Sequence, residues 1–404
     1  MPSSRTAPAV VVAGLLTAAL WVVTGQLAGW LRSGTADLVP GAVLRAALPH
    51  PTGAVSAGEP LSGATILAAA LAGAVGALGT YLALRRLPSG TGRWATFLAV
   101  WFSVVAASAL AGSALWFAGI TLPWTAQTLE EFVAAAFGGY WGLANGVVVA
   151  VAVAVTRDLV DRHDDPAGTR HTRTPARVRA WPAALGAGMA TGLLWAGAGV
   201  ARTLVPVPVD PQTSWGIARD VVLLPAARIP LDQAQLLAHP VPLVLPVVVG
   251  LVVAVLTGLA TRRLPPAEGR WPLLLAVWLA CVLGSALASV VPLVVSAVEA
   301  GGALPDAGRT LPVLEAGLAW GLVCGVFVAL LAVVVHGYAG PVAAGDEPSD
   351  EPWPAPSGTV GENAADGASA GAAAGADGPK DAEGAAATRP GGDARAHDDV
   401  PANA

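Results

Sequence analysis

Charged side chains are the scarcest feature of this 404-residue sequence, because Asp, Glu, Lys and Arg together supply only 12% of it. Soluble domains carry about 25% charged residues, whereas 54% of this chain is hydrophobic and its mean hydropathy is +0.62. The composition therefore indicates a protein that uses lipid as its solvent. Lysine is nearly absent, with Lys380 the single one among 22 basic residues, and this bias toward arginine suggests a GC-rich, bacterial genome.

Cysteine and histidine are also too sparse to suggest a site. Cys281 and Cys324 lie inside apolar runs, which gives no support to a disulfide framework and favours two structural thiols. The six histidines are scattered without HExxH or paired spacing. The sequence contains neither a phosphate-binding GxxxxGK[ST] loop nor a GxSxG nucleophile motif, and no basic patch is interleaved with aromatic residues. We therefore expect no metal, no cofactor, no catalytic residue and no nucleic-acid partner.

Long apolar runs dominate what is present, and each is long enough to cross a hydrocarbon core that needs about 20 helical residues. None alternates with the period of two that a membrane strand requires, so helices are expected. We interpret the first run as a retained span rather than a signal peptide, because it is too long for the apolar part of such a peptide. The runs predict an all-α integral membrane protein with eight transmembrane helices: Ala9–Trp30, 62–84, 95–118, 132–155, 181–204, 241–261, 271–296 and 313–336.

Arginine placement predicts the orientation of these spans. Thirteen arginines, among them Arg85, Arg157 and Arg262, lie in the N-terminal segment and the loops after spans 2, 4 and 6. Six are spread over the longer loops on the other side. By the positive-inside rule, we expect a multi-pass protein of the plasma membrane with both termini in the cytoplasm.

The sequence contains one segment twice, which predicts two related halves. Arg85–Ala111 and Arg262–Ala288 are identical at 16 of 27 positions, at a constant offset of 177 residues. Four spans in each half would make the halves parallel repeats about an axis along the membrane normal. The predicted organisation is a first four-span repeat, a cytoplasmic linker, a second four-span repeat and a disordered acidic tail: 1–156, 157–180, 181–338 and 339–404.

Two matching glycine ladders lie in spans 4 and 8. They are Gly138, Gly142 and Gly146 in the first half and Gly317, Gly321 and Gly325 in the second. Glycines four residues apart share one face of a helix and allow another backbone to approach closely. Both ladders therefore predict helix packing.

A stripe shared by spans 3 and 7 leaves two interpretations open. Trp101 and Ser108 match Trp278 and Ser285, at a spacing that keeps one side of each helix toward a neighbour. The stripe predicts either helix packing or an aromatic-lined groove in which the two serines contact a ligand.

Polar residues inside the spans are few. Glu315, near one end of span 8, is the best single candidate for a functional carboxylate, although an interfacial role is favoured and its counterpart in the first half is Ala136. Asn145 and Gln26 are the clearest uncharged candidates, and a hydrogen bond between helices is the expected role of each.

The sequence favours a scaffold or accessory subunit of a membrane complex, because its spans hold so few charges and its tail is acidic. The alternative is a transporter or lipid-handling permease with a pathway between the two repeats. A membrane enzyme is least favoured, since no set of polar residues converges at one interface. The expected partners are the lipid bilayer and either another membrane protein or further copies of this chain.

Overall fold

The chain folds into long apolar helices, and all the residues that the structure describes are helical or in short connections. The computed structural model describes residues 6–35, 41–51, 62–87, 91–118, 139–164, 181–204, 229–230, 232, 234, 240–262, 264–265, 269–302 and 305–338. The helices are α1 (Ala7–Thr35), α2 (Gly41–Ala47), α3 (Gly63–Leu84), α4 (Arg93–Ala118), α5 (Gly139–Asp164), α6 (Trp181–Leu204), α7 (Val241–Thr261), α8 (Arg270–Glu299) and α9 (Ala307–Tyr338). All except the short α2 are long and apolar enough to cross a membrane, which confirms the prediction of eight spans.

The fourth span continues beyond its predicted end at residue 155. The predicted start at residue 132 lies outside the described residues, and α5 continues to Asp164, into the first part of the predicted linker. Polar contacts with α4 accompany this extension. Arg157 donates from Nη1 to Thr96 Oγ1 at 3.2 Å, and Asp158 lies 3.4 Å from Arg93. The rest of the predicted linker and the predicted tail, 339–404, lie outside the described residues.

Each half of the sequence forms a ring of four helices. In the first half, α1 and α4 both pack on α3 and on α5. In the second half, α6 and α8 both pack on α7 and on α9. Large apolar side chains on the outer faces, such as Leu15 and Leu193, are more than two-thirds exposed, as expected of residues that contact lipid. The same order of neighbours therefore occurs twice along the chain.

The two halves meet mainly through α4 and α8, with smaller contacts between α4 and α7 and between α3 and α8. Phe102 of α4 stacks on Trp278 of α8, with ring centroids 4.7 Å apart and planes 30° apart. Leu98, Ala99 and Val105 of α4 belong to the same buried cluster as the core of α8. The described part of this contact is therefore filled by apolar side chains.

The duplicated arginine-bearing turns lie at one end of the bundle and touch each other. The guanidinium carbon of Arg85 lies 5.6 Å from the centroid of the Trp271 ring, a cation–π distance. Gly92 has a φ of +60°, which a residue with a side chain seldom adopts, and an added Cβ would meet Leu264 of the other turn at 2.9 Å. Since Arg157 bonds to Thr96, the end of α5 lies at this same end of the bundle.

Candidate functional site

Two tryptophans of the predicted stripe each donate a hydrogen bond to the helix that follows their own. Trp101 of α4 donates from Nε1 to the carbonyl oxygen of Leu143, and Trp278 of α8 donates to that of Leu322, both at 2.9 Å. A polar group without a partner in hydrocarbon is costly, so each bond satisfies a donor while it ties two helices together. These contacts fit the packing interpretation of the stripe.

The middle glycines of the two ladders bring backbones into contact. A Cβ added at Gly142 would lie 2.5 Å from Cα of Val105 on α4. A Cβ added at Gly321 would collide with Cα of Val282 on α8. Since the obstructing atoms are backbone atoms, a side chain at either position would force the helices apart. Close approach of α5 to α4 and of α9 to α8 therefore depends on glycine here.

The outer glycines of the ladders extend the same two contacts. Gly146 faces the Trp101 ring and Gly325 faces the Trp278 ring. Gly317 lies against Ser289 and the backbone of Ser285. Gly138 lies outside the described residues, so the first ladder is seen only in part.

The serines of the stripe are also used within the helix contacts. Ser108 donates to the carbonyl oxygen of Val105 at 2.8 Å, and Ser285 donates to that of Cys281 at 2.7 Å. Both hydroxyls lie against the middle glycine of the neighbouring ladder. Neither hydroxyl is therefore presented to a ligand groove by these contacts.

The three single polar candidates are not brought together by the fold. Glu315 is half-buried on α9 and is not an isolated charge. Asn145 donates from Nδ2 to the carbonyl oxygen of Trp141 at 3.1 Å, which is a bond within α5 rather than the expected bond between helices. Gln26 is half-buried on α1. Asn145 and Gln26 lie on neighbouring helices of the first half, whereas Glu315 lies in the second.

The thiols remain separate, and Cys281 and Cys324 are free. Cys281 is fully buried, 3.6 Å from the hydroxyl oxygen of Thr191. Within the described residues, no group of three or more His, Cys, Asp or Glu side chains is placed to hold a metal ion.

A pair of tryptophans in each half was missed by the sequence reasoning. Trp21 of α1 meets Trp141 of α5 edge to face, with centroids 5.2 Å apart. Trp195 of α6 meets Trp320 of α9 in the same way at 4.9 Å. All four side chains are at most 2% exposed. Each pair joins the first and last spans of its ring.

The structure also shows how α1 and α6 correspond. Gly14 lies against the carbonyl oxygen of Gly73, and Gly188 lies against that of Gly250. These contacts align α1 with α6 at an offset of 174 residues, which also matches Trp21 with Trp195. The offset of 177 residues found for the duplicated segment does not align these tryptophans, because the first span is displaced by three residues relative to that segment.

The hydrogen bonding of the two pairs differs. Trp141 donates from Nε1 to Thr24 Oγ1 at 2.9 Å, and this bond is buried. The residue that matches Thr24 in α6 is Ala198, which has no acceptor in its side chain. Among the described residues, Nε1 of Trp320 is buried and has no hydrogen-bond partner.

A cavity of about 590 Å³ lies between α6 and α9, with Trp320 in its lining. Its lining includes Ala198, Gly197, Trp320, Cys324 and Phe327. We call it the α6–α9 groove. Phe327 is 66% exposed, so the groove opens on the lipid-facing surface.

Comparison with protein-family models, with curated protein sequences and with solved structures gives no match.

Proposed function

We propose that this polytopic membrane protein is a non-catalytic scaffold or accessory subunit of a membrane complex, built from two parallel four-helix repeats. The observation that carries the proposal is the contact between the halves, where Phe102 stacks on Trp278 and the surrounding side chains of α4 and α8 are apolar and buried. A transport pathway along this contact would need polar lining or open space. A bundle held by packed side chains is suited instead to a fixed structural role.

The parallel relation of the repeats is supported by the matched bonds of Trp101 and Trp278 and by the repeated ring of helix neighbours. Between the halves, the contact of α4 with α7 is matched by the contact of α3 with α8, as expected of an isologous two-fold interface. A fused pair of four-helix units would place equivalent loops on the same side of the membrane.

Thiol labelling tests this topology. We expect a membrane-impermeant maleimide to label Arg86→Cys and Arg262→Cys only after the cytoplasmic face is opened, because both positions are exposed at the arginine-bearing end of the bundle. Asp306→Cys, exposed at the start of α9, should be labelled in intact cells and serves as the matched control. Labelling of the two arginine positions from opposite sides would exclude parallel repeats.

The scaffold role is tested by purifying the full chain from native membranes in a mild detergent and weighing the intact complex by native mass spectrometry. We expect a second membrane protein, or further copies of this chain, at a fixed stoichiometry. The same chain should not move a fluorescent phospholipid across reconstituted vesicles faster than empty vesicles do. Recovery of the chain only as a monomer, or acceleration of lipid movement, would replace the scaffold proposal with the permease alternative.

A further inference from the structure

The α6–α9 groove combines an apolar surface with one buried donor that lacks a partner. We propose that it binds one acyl chain of a membrane phospholipid, whose ester carbonyl oxygen accepts a hydrogen bond from Nε1 of Trp320. This inference does not depend on the scaffold role, because it rests on the groove alone.

The unpartnered donor is the first support. Trp320 is 1% exposed, and its indole N–H finds no acceptor among the described residues. A buried N–H without a bond is unfavourable in protein and more so in hydrocarbon, where no water can replace the partner. Since Trp320 lines the groove, the missing acceptor can be supplied by a molecule that lies there.

The first half of the chain provides an internal comparison. There the equivalent tryptophan, Trp141, makes the same edge-to-face contact with Trp21 but donates to the hydroxyl of Thr24. Ala198 replaces Thr24 in the second half. Ala198 is smaller than threonine and has no acceptor in its side chain, and both Ala198 and Trp320 line the groove, so a molecule in the groove can supply the acceptor on this side of Trp320.

The α6 side of the groove also differs from the matching face of α1. Along α6, the lining residues Ala190, Gly197 and Ala201 stand where α1 has larger side chains, whereas Leu193, which also lines the groove, stands where α1 has the smaller Ala19. The matching residues of α1 are Leu16, Val23 and Leu27. On α9, the lining residues Phe327 and Leu331 are larger than their counterparts Val148 and Ala152. Phe327 and Leu331 are exposed and form the outer edge of the groove. A channel floored by small residues and bordered by large apolar ones suits a single hydrocarbon chain, and its volume of about 590 Å³ lies within the usual range of ligand cavities.

The depth of the donor sets how far a lipid acceptor must enter the groove. Ala198 lies six residues before the end of α6 at Leu204, or about 9 Å along a helix that rises 1.5 Å per residue. α6 has 24 residues and is about 36 Å long, so it extends about 3 Å beyond each side of a core about 30 Å thick. Ala198 therefore lies about 6 Å inside the boundary, and the ester group of a bound lipid must enter the groove about that far to reach Trp320. The groove continues from Ala198 to Ala190, about 12 Å further along the helix, in the direction of an acyl chain. Arg202, one turn beyond Ala198, lies on the headgroup side.

A transmembrane helix of a partner protein is a poorer occupant. Its backbone carbonyl groups already accept bonds within their own helix, so only a polar side chain at one matching position could satisfy Trp320. An ester carbonyl is present in every phospholipid that reaches the groove.

Photolabelling of the full chain in lipid nanodiscs tests the proposal. The probe is a phospholipid with a diazirine in one acyl chain, and the labelled peptides are identified by mass spectrometry. We expect label on α6 and α9 at the groove. Ala198→Thr, which copies the acceptor of the first half, and Trp320→Phe, which keeps the ring but removes the donor, should each lower this label about three- to thirtyfold, the range that one hydrogen bond in a membrane supplies.

Thr24→Ala is the matched control, because it removes the acceptor from the first half, where larger side chains of α1 occupy the position of the groove, and it should leave the labelling of α1 and α5 unchanged. Gly197→Val narrows the groove and leaves Trp320 unchanged, and it should also lower the label. A lower label in this variant cannot result from misfolding around a substituted Trp320. Unchanged labelling in Ala198→Thr and Gly197→Val would overturn the proposal. Crosslinking of the groove to a second protein chain in native membranes, with no lipid label, would assign it to a partner helix instead. Neither result depends on the stoichiometry that tests the scaffold role.

Discussion

Gly321→Val is expected to lower the free energy of unfolding by about 3 kcal/mol, the upper part of the range for overpacking. Even a single Cβ at this position would collide with Cα of Val282 on α8. A backbone atom cannot rotate away as the end of a side chain can, so α8 and α9 must separate along their contact. The measurement is the temperature at which the detergent-solubilised chain loses its helical circular dichroism and its monodisperse elution.

Gly337→Val is the control for that substitution. It lies on the same helix, α9, and carries the same change in intrinsic helix propensity, but no atom lies within 4 Å of its added Cβ. We expect it to unfold within a few degrees of the unaltered chain. If both variants lost the same stability, helix propensity rather than close approach would explain the glycine, and the packing role of the ladder would be wrong.

Trp278→Ala is expected to destabilise the chain by about 3 kcal/mol, as truncation of a packed aromatic side chain commonly does. The substitution removes the stack on Phe102, which joins the two halves, and the bond to the carbonyl oxygen of Leu322, which joins α8 to α9. Trp278→Phe should recover most of the loss, because it keeps a stacked ring and gives up only one hydrogen bond, worth about 0.6–2 kcal/mol.

Two further tryptophans serve as comparisons. Trp181→Ala, on a side chain that is 62% exposed on α6, should change stability little. Trp101→Ala removes the equivalent bond to Leu143 together with an edge contact to Phe97 of its own helix, so its effect should be smaller than that of Trp278→Ala. Equal effects of Trp278→Ala and Trp181→Ala would show that the contact between the halves does not depend on this ring.

The spans were predictable because a run of about 20 apolar residues has few alternatives in lipid, where a helix satisfies its own backbone. The end of α5 was less predictable. The hydrophobic pattern ends near residue 155, but the helix continues to Asp164, and Arg157 and Asp158 bind residues of α4. Such polar contacts between helices leave no periodic signal in the sequence.

For the candidate residues, too, some features were predictable from the sequence and others were not. The glycine ladders and the matched tryptophans could be identified from spacing alone, because one helix face recurs every three to four residues. Their partners could not be identified, since a stripe shows that a helix faces something but not which helix. Only the fold shows that Trp101 bonds to α5 and Trp278 to α9.

Composition and hydrophobic pattern by themselves determined the eight helices, among the described residues, that are long and apolar enough to cross a membrane, because the bilayer allows so few structures to cross it. The tertiary structure alone decided that α1 pairs with α5 and α6 with α9, and hence that Thr24 satisfies one tryptophan whereas Ala198 leaves the other without an acceptor. The physical reason is distance along the chain: Thr24 and Trp141 are separated by 117 residues, and only packing brings such a donor and acceptor together.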